Sequence, residues 1–325
     1  MHTFLHKKFI NNLKSNINNK EKLLIAISGG QDSLCLIKLL QDCFKNRNNK
    51  FEAIYIDYQW QKKSIKHTKQ IINFAKQIEI KLSIYEIKSL IFSEKKARLL
   101  RYQMLINHAL KYKFSKILLG HTKNDKIETF LQQLIRGTSI DGATGLVSKR
   151  KISKQLWIIR PMLHFSREET EWFCRKLHLP VWSDTTNYNY LIPRNRFRHE
   201  LIPYLKQCIN HNTMNSLYSF IELSETDNEY IKENTIRLYL KIKHKKLVGL
   251  NINLLQQEHL SLQQRSLQLF FQYHFNLCIK QQMISKIIKM INYNSKISNI
   301  FHTNNLVIQL KNHWLYANFV GNNKI

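Results

Sequence analysis

The sequence predicts an α/β protein, a doubly wound parallel sheet followed by a smaller, mainly helical C-terminal domain. Three observations predict it. Short runs that are apolar throughout alternate with longer stretches of helical period from residue 23 to residue 136. Strands apolar on both faces belong to sheets covered on both sides, and a helix after each strand is the connection that parallel strands need. From about residue 206 the alternation stops and helical pattern dominates. A chain of 325 residues also exceeds the usual size of one core, so the boundary is read near 205, giving domains 1–205 and 206–325.

Taken in order, the strand Leu23–Ile27 leads to the helix Ser33–Phe44, and Phe51–Asp57 leads to Ser64–Ile78. Lys81–Ile87 precedes Glu94–Lys111, and Lys116–Gly120 precedes Asn124–Arg136. A basic strip, Lys149–Lys154, comes before the apolar run Trp157–Leu163 and is expected to be flexible and to contact phosphates or merely to be solvated. Ser166 with Glu169 three residues on has the spacing of a capping box and opens a further helix. Beyond the boundary, 213–246, 262–275 and 281–293 read as helices, and Leu306–Leu310 with Trp314–Phe319 reads as a hairpin. No internal repeat is present.

Charge narrows the partners. Lys and Arg number 51 against 22 Asp and Glu, a formal charge of +29, divided +21 and +8 between 1–205 and 206–325. A polyanion, RNA above all, accounts for such a balance by releasing counterions from its phosphates. A Lys-, Asn- and Ile-heavy composition, as AT-rich codons produce, accounts for part of the excess as well. No run approaches the ~20 apolar residues that cross a bilayer, so a soluble protein without membrane partners is expected. The five cysteines, at 35, 43, 174, 208 and 278, form no CxxC pair, which argues against a disulfide framework, a zinc ribbon or a cluster site.

The chemistry concentrates where the first strand meets its helix. Ser28-Gly29-Gly30-Gln31-Asp32-Ser33 joins them. Glycines let the backbone approach a phosphate closely, and a helix start offers unpaired N–H groups and a positive dipole end. The hydroxyls of Ser28 and Ser33 can donate to phosphate oxygens, and Asp32 can hold a magnesium ion bridging them. The Walker pattern with its Lys is absent. A second block, Gly120 to Thr129, sits at the carboxyl end of the fourth strand, where ligands of such sheets bind. Asn124 is suited to cap its helix, and Asp125 and Glu128, three apart, share one face.

The S-G-G-x-D-S loop after an apolar strand resembles the N-type ATP pyrophosphatases, the PP-loop superfamily with its Rossmann-like fold. Five further blocks resemble the tRNA(Ile)-lysidine synthases within it. Glu94, Ala97, Arg98, Arg101 and Tyr102 match an E-x-x-A-R-x-x-R-Y helix, and Arg160-Pro161-Met162-Leu163 with Arg167 matches R-P-L-L…R. His121 to Glu128 with Arg136-Gly137 matches a third. Asp184–Asn187 and Arg194–Arg198 with Ile202-Pro203 match the D-x-x-N and R-N-x-x-R…P segments. One departure stands out: Ile56-Asp57-Tyr58 replaces the usual V-D-H, so the Asp is kept and the His is lost.

The resemblance implies ligation of free L-lysine to C2 of the wobble cytidine of a CAU-anticodon tRNA(Ile) through an adenylated intermediate, with ATP consumed and Mg2+ as cofactor. Ser28, Gly29, Gly30, Gln31, Asp32 and Ser33 would hold the nucleotide, with Asp32 as the magnesium ligand. Asp32, Asp57, His121 and Asp125 are the catalytic candidates, the last three for orienting the amine and accepting its proton. Glu128, Arg98, Arg101, Arg136, Arg194, Asn195 and Arg198 are candidates for lysine or tRNA, and Tyr188 and Tyr190 for base stacking. Two readings compete with this one. A PP-loop thiolation enzyme would need cluster-binding cysteines that the chain lacks, and a non-catalytic RNA-binding relative would not need Asp32. The codon bias, the short C-terminal half and the lack of a transit peptide suit synthesis in a plastid, with a bacterial cytoplasm as the alternative. Oligomeric state leaves no mark in the sequence.

Overall fold

A computed structural model of the chain describes residues 3–14, 17–18, 21–44, 50–58, 64–87, 94–182, 190–293, 300–302 and 306–319. They fall into two compact units, Met1–Glu222 and Leu223–Ile325.

The first unit contains a six-stranded sheet. Its strands are β1 (Leu23–Ile27), β2 (Phe51–Asp57), β3 (Lys81–Glu86), β4 (Lys116–Leu119), β5 (Lys149–Lys151) and β6 (Trp157–Ile159), in the order β3-β2-β1-β4-β6-β5. Five are parallel, and only the edge strand β5 runs against its neighbour β6. The reversal of strand order at β1 and β4 places their carboxyl ends side by side at the switch point where such sheets bind ligands.

Period-two alternation sends side chains to both faces, and both are covered. Leu23, Ile25 and Ile27 of β1 pack with α1 (Phe4–Lys14), α2 (Gln31–Cys43) and α7 (Arg167–Lys176), around the fully buried rings of Phe9, Phe165 and Phe173. Leu24 faces the other way with Ile54 and Ile56 of β2, against Leu105 and Ala109 of α4 (Glu94–Lys111). All seven residues of β2 are buried, as a central parallel strand requires. The remaining helices of the parallel core are α3 (Ser64–Gln77) and α5 (Lys123–Ile135), with a short α6 (Ile140–Ala143) after it.

Three features depart from the sequence reading. The strip read as flexible is strand β5, and the run read as reaching Leu163 stops as a strand at Ile159, where Arg160 turns the chain ahead of Pro161. From Pro193 to Ile209 the chain winds as alternating α and π turns: α8 (Pro193–Arg196), a π turn at Phe197–Leu201, α9 (Ile202–Tyr204) and a second π turn at Leu205–Ile209. The 30-residue α10 (Thr213–Ile242) follows, and the division between the units lies inside it, later than the boundary read near 205. The early turns of α10 explain this, because Leu217, Tyr218 and Ile221 pack on Ile127, Phe130 and Leu131 of α5.

The second unit combines α11 (Ile252–Gln256), α12 (Leu260–Phe275) and α13 (Gln281–Tyr293) with a four-stranded antiparallel sheet. The expected hairpin is present as β9 (Leu306–Lys311) and β10 (Trp314–Phe319), flanked by β7 (Gly249–Asn251) and β8 (Ile300–His302), which three-residue runs did not announce. Phe270, Phe271, Ile284 and Leu315 form its core.

Candidate active site

The carboxyl ends of β1, β2 and β4 open into a cavity of about 510 Å3. The loop at its floor is built from backbone and small side chains. Gly29 adopts φ +74°, which L-residues with a Cβ rarely hold. A Cβ there would lie 2.1 Å from Nε2 of His67, so conformation and space both demand glycine. Gly120, at the end of β4, lets that strand approach the same loop: a Cβ would meet the Asp32 carbonyl oxygen at 2.9 Å. Ser33 braces the turn, its Oγ donating to the Gly30 carbonyl at 2.9 Å and accepting from Ser28 N at 3.2 Å, with Ser28 Oγ also 3.2 Å away. Gly30 caps α2 with extended backbone and no side chain.

Two residues of the loop are tied to α7. Gln31 Nε2 donates to Arg167 O at 2.8 Å and to Thr170 Oγ1 at 2.7 Å, so its side chain anchors the loop rather than pointing at the cavity centre. Thr170 Oγ1 in turn lies 2.6 Å from Asp32 Oδ1. Burial, reinforced by the charge of Asp125, pushes the Asp32 carboxyl up to about 6. Two aromatic residues complete this wall. The His67 ring stacks on Trp182 at 4.9 Å and its Nδ1 lies 3.2 Å from the Tyr55 hydroxyl, while Trp182 N donates to Gly29 O at 3.0 Å.

The second block faces the loop across the cavity. Thr122 caps α5, and Asp125 returns the contact, its Oδ2 accepting from Thr122 N at 2.8 Å. The other oxygen of Asp125 accepts from Arg194 Nη2 at 2.6 Å. Glu128, one turn on and nearly inaccessible, accepts from Arg194 Nε at 2.8 Å and from Arg198 Nε at 2.7 Å. Two carboxylates three apart on α5 thus meet two guanidinium groups four apart on the α8 and π-turn run, since both spacings fall on one helical face. Burial alone would raise the Asp125 carboxyl, but Arg194 foremost, then His121 and the Thr122 N–H, hold it below the usual carboxylate range.

His121 ends β4. Burial drives its imidazole down to about 3, and the nearby Arg160, Arg194 and Arg101 add to the shift against the opposing pull of Asp125. Arg160 Nε donates to His121 Nδ1 at 3.2 Å, which fixes the neutral tautomer that carries its proton on Nε2. Asp57 ends β2 and accepts from Thr68 Oγ1 at 3.2 Å.

Of the residues singled out from sequence, Ser28, Gly30, Gln31, Asp32, Ser33, Asp57, Arg98, Arg101, His121, Asp125, Arg194, Asn195 and Arg198 line this one cavity. Gly29 closes it from beneath His67, and Glu128 stands behind Arg194 and Arg198. Arg136 is exposed at the C-cap of α5 and does not line the cavity. Asp184, Asn187 and Tyr188 lie outside the described residues. Tyr190 is exposed, with its ring 6.1 Å from that of His199. Sequence reasoning missed His67, Arg160 as the partner of His121, Thr170 and Trp182. Each comes from a different element; Arg160 stands in the R-P-M-L block but nothing local announces its pairing with His121, and no local motif announces the other three. Cys35 and Cys174 are both buried where α2 meets α7, in the core rather than the cavity.

The comparisons with known proteins agree with this geometry. A PP-loop domain model matches residues 2–205. A chloroplastic tRNA(Ile)-lysidine synthase of Gracilaria tenuistipitata var. liui is 39% identical over 97% of this chain and 99% of its own length. Its counterpart from Pyropia yezoensis is 38% identical over 97% of this chain and 96% of its own. The tRNA(Ile)-lysidine synthase of a Nostoc species is 34% identical over 73% of this chain and 70% of its own. Among solved structures, the U34-tRNA thiolase NcsA of Methanococcus maripaludis superposes with a TM-score of 0.58 at 19% identity, covering 68% of this chain and 77% of that one, a likeness of fold. Identity of that extent, carried through both units and over the cavity-lining blocks, means that the chain belongs to the PP-loop family and, within it, to the tRNA(Ile)-lysidine synthases.

Proposed function

We propose that this chain ligates L-lysine to C2 of the wobble cytidine of CAU-anticodon tRNA(Ile), using ATP, so that the anticodon reads AUA in place of AUG. The observation that carries the reading is one cavity in which the glycine loop and the His121–Asp125 block face each other, in a chain 39% identical to a tRNA(Ile)-lysidine synthase along nearly its full length. The C2 carbonyl oxygen attacks the α-phosphorus of ATP and pyrophosphate leaves. The ε-amine of lysine then attacks C2, and the C–O bond breaks to release AMP with that oxygen.

The loop residues Ser28, Gly29, Gly30 and Ser33 hold the departing pyrophosphate through backbone N–H groups and hydroxyls. Asp32 is the residue that would hold Mg2+. Its donor set fits: a half-buried carboxylate near a second one, with its pKa raised to about 6, would gain from a dication, which would supply charge neutralisation at the phosphates. His121 with its proton on Nε2 is a hydrogen-bond donor toward the oxygen that accepts AMP. The amine proton, acidic once the C–N bond forms, passes to a carboxylate, Asp57 or Asp125. Arg98 and Arg101, for which no carboxylate partner is present among the described residues, bind nucleotide or RNA phosphate, while Arg194, Asn195 and Arg198 shape the wall on which lysine and the cytidine rest. Residues 206–325 bind the body of the tRNA, and the chloroplastic names of the similar proteins support a plastid stroma as the place of work.

The test is lysine uptake. Protein with ATP and Mg2+ attaches labelled lysine to tRNA(Ile) bearing CAU and leaves initiator tRNA unlabelled. Uptake of sulfur without lysine overturns the reading.

A further inference from the structure

The cations that best matched an RNA-binding motif, Arg194 and Arg198, are engaged by Asp125 and Glu128. Their charge is largely neutralised inside the protein. From residue 142 to residue 167 the sequence contains six basic residues and no acidic one. Four of these, Lys149, Arg150, Lys151 and Lys154, lie on the β5–β6 hairpin. All four are exposed, and none has a carboxylate partner among the described residues.

The hairpin is ordered and aimed. Lys149 pairs with Ile159, Arg150 with Ile158 and Lys151 with Trp157, so the two lysines share the face of the Trp157 ring while Arg150 takes the other. Their ammonium groups lie 4.5 Å and 5.4 Å from the ring centroid, which holds two like charges on one half-buried platform. Ile152 and Ser153 close the turn by donating to Leu156 O, leaving Lys154 at the tip. The base of the hairpin is fastened to the cavity by one residue. Arg160 N donates to Ser148 O at 2.8 Å and its Nη1 to Val147 O at 2.8 Å, while its Nε holds His121. The strip therefore has a set distance and register from the reacting end of β4.

We propose that the β5–β6 hairpin is a phosphodiester-binding edge that docks the backbone of the substrate tRNA beside the cavity. The inference rests on the tRNA-modifying reading given above and names a surface for it. Lysines on an edge strand also discourage pairing between copies. Four like charges on the edge make a second copy an unfavourable occupant, and a polyanion a favourable one.

The experiment is a salt series of tRNA affinity for the full chain and for Lys149→Gln/Arg150→Gln/Lys151→Gln/Lys154→Gln, with thermal unfolding as the fold check. Each lost phosphate contact lowers the slope of log affinity against log salt by about 0.7–0.9, so the slope is expected to fall by about 3, with at least about tenfold weaker binding at low salt. At saturating tRNA the turnover and the KM for ATP stay at their wild-type values. Replacing Lys149, Lys151 and Lys154 by Arg keeps slope and affinity. Lys76→Gln/Lys111→Gln/Lys113→Gln, at the opposite end of the strands, leaves the slope unchanged. A folded Gln variant with wild-type slope overturns the proposal, as does an equal loss in the control. If the edge instead pairs two copies, the Gln variant changes sedimentation without changing the slope, and the proposal again falls. Should wild type bind tRNA but take up no lysine, the functional reading fails, and the slope still decides the strip.

Discussion

The two walls of the cavity are made of different material. The glycine loop at 28–33 shapes its turn with backbone, two hydroxyls and one carboxylate, all within six consecutive residues. The opposite wall is a charge network in which Asp125 and Glu128 meet Arg194 and Arg198 from some 70 residues away. The difference teaches where each wall is vulnerable. A backbone-built site fails when a side chain is added or its one charge is changed, whereas a charge network fails when one partner is taken away and the other is left buried.

The largest expected effect is at Asp32. Asp32→Asn should lower lysine transfer by about 10³-fold, a loss typical of removing a group that stabilises developing charge. It should also stabilise the protein at pH 7. The folded carboxyl titrates at about 6 and the unfolded one near 3.8, so the folded state binds the extra proton between those values and stability falls as pH rises through that window. The gain in Asp32→Asn at neutral pH, about 1–3 kcal/mol, is read by denaturant unfolding. His121 works in the reverse sense. Its folded value of about 3 lies below an unfolded 6.5, so its stabilising contribution is lost as pH falls through that range.

Next comes the charge network. Arg198→Ala leaves Glu128 with Arg194 alone and should cost about 3 kcal/mol, measured as a drop in the unfolding midpoint. In Arg198→Ala/Glu128→Ala the two losses should fall short of their sum by at least about 1 kcal/mol. Additive losses would mean that the contact contributes no coupling. Gly29→Ala sharpens the contrast from the other side. A left-handed backbone and the His67 ring both oppose the methyl, so ATP affinity should fall by about 1–3 kcal/mol. Gly29→Ala/His67→Ala should recover the part due to the clash while keeping the backbone strain.

The smallest effect marks the boundary of the network. Arg196 belongs to the same motif as Arg194 and Arg198, but its partner is the exposed Glu200 four residues on. Arg196→Ala should change stability by less than about 0.5 kcal/mol and leave lysine transfer near wild type.

What was legible in the sequence follows the same division. The strands, the loop and both carboxylates of α5 are contiguous patterns, and periodicity with local motif chemistry places each of them. Gln31 shows the limit even there. Its membership of the loop was readable, while the direction of its side chain depends on Arg167 and Thr170 of α7. The partnership of Glu128 with Arg194 and Arg198 was out of reach for the same reason, and the motif could equally have aimed those arginines at phosphate. Strand β5 was hidden because Lys149–Lys151 carries no apolar residue, and only its pairing with β6 makes it a strand.

The central claim is that both walls act on one cytidine, the loop to adenylate it and the opposite block to admit the amine. The most direct measurement supplies ATP labelled at the α-phosphate and CAU-anticodon tRNA(Ile) without lysine, then chases with lysine. The account predicts labelled AMP on the wobble cytidine before the chase and its release as free AMP, with lysine bound in its place, afterwards. Label that never reaches the tRNA, or an adenylate that lysine does not discharge, would contradict it.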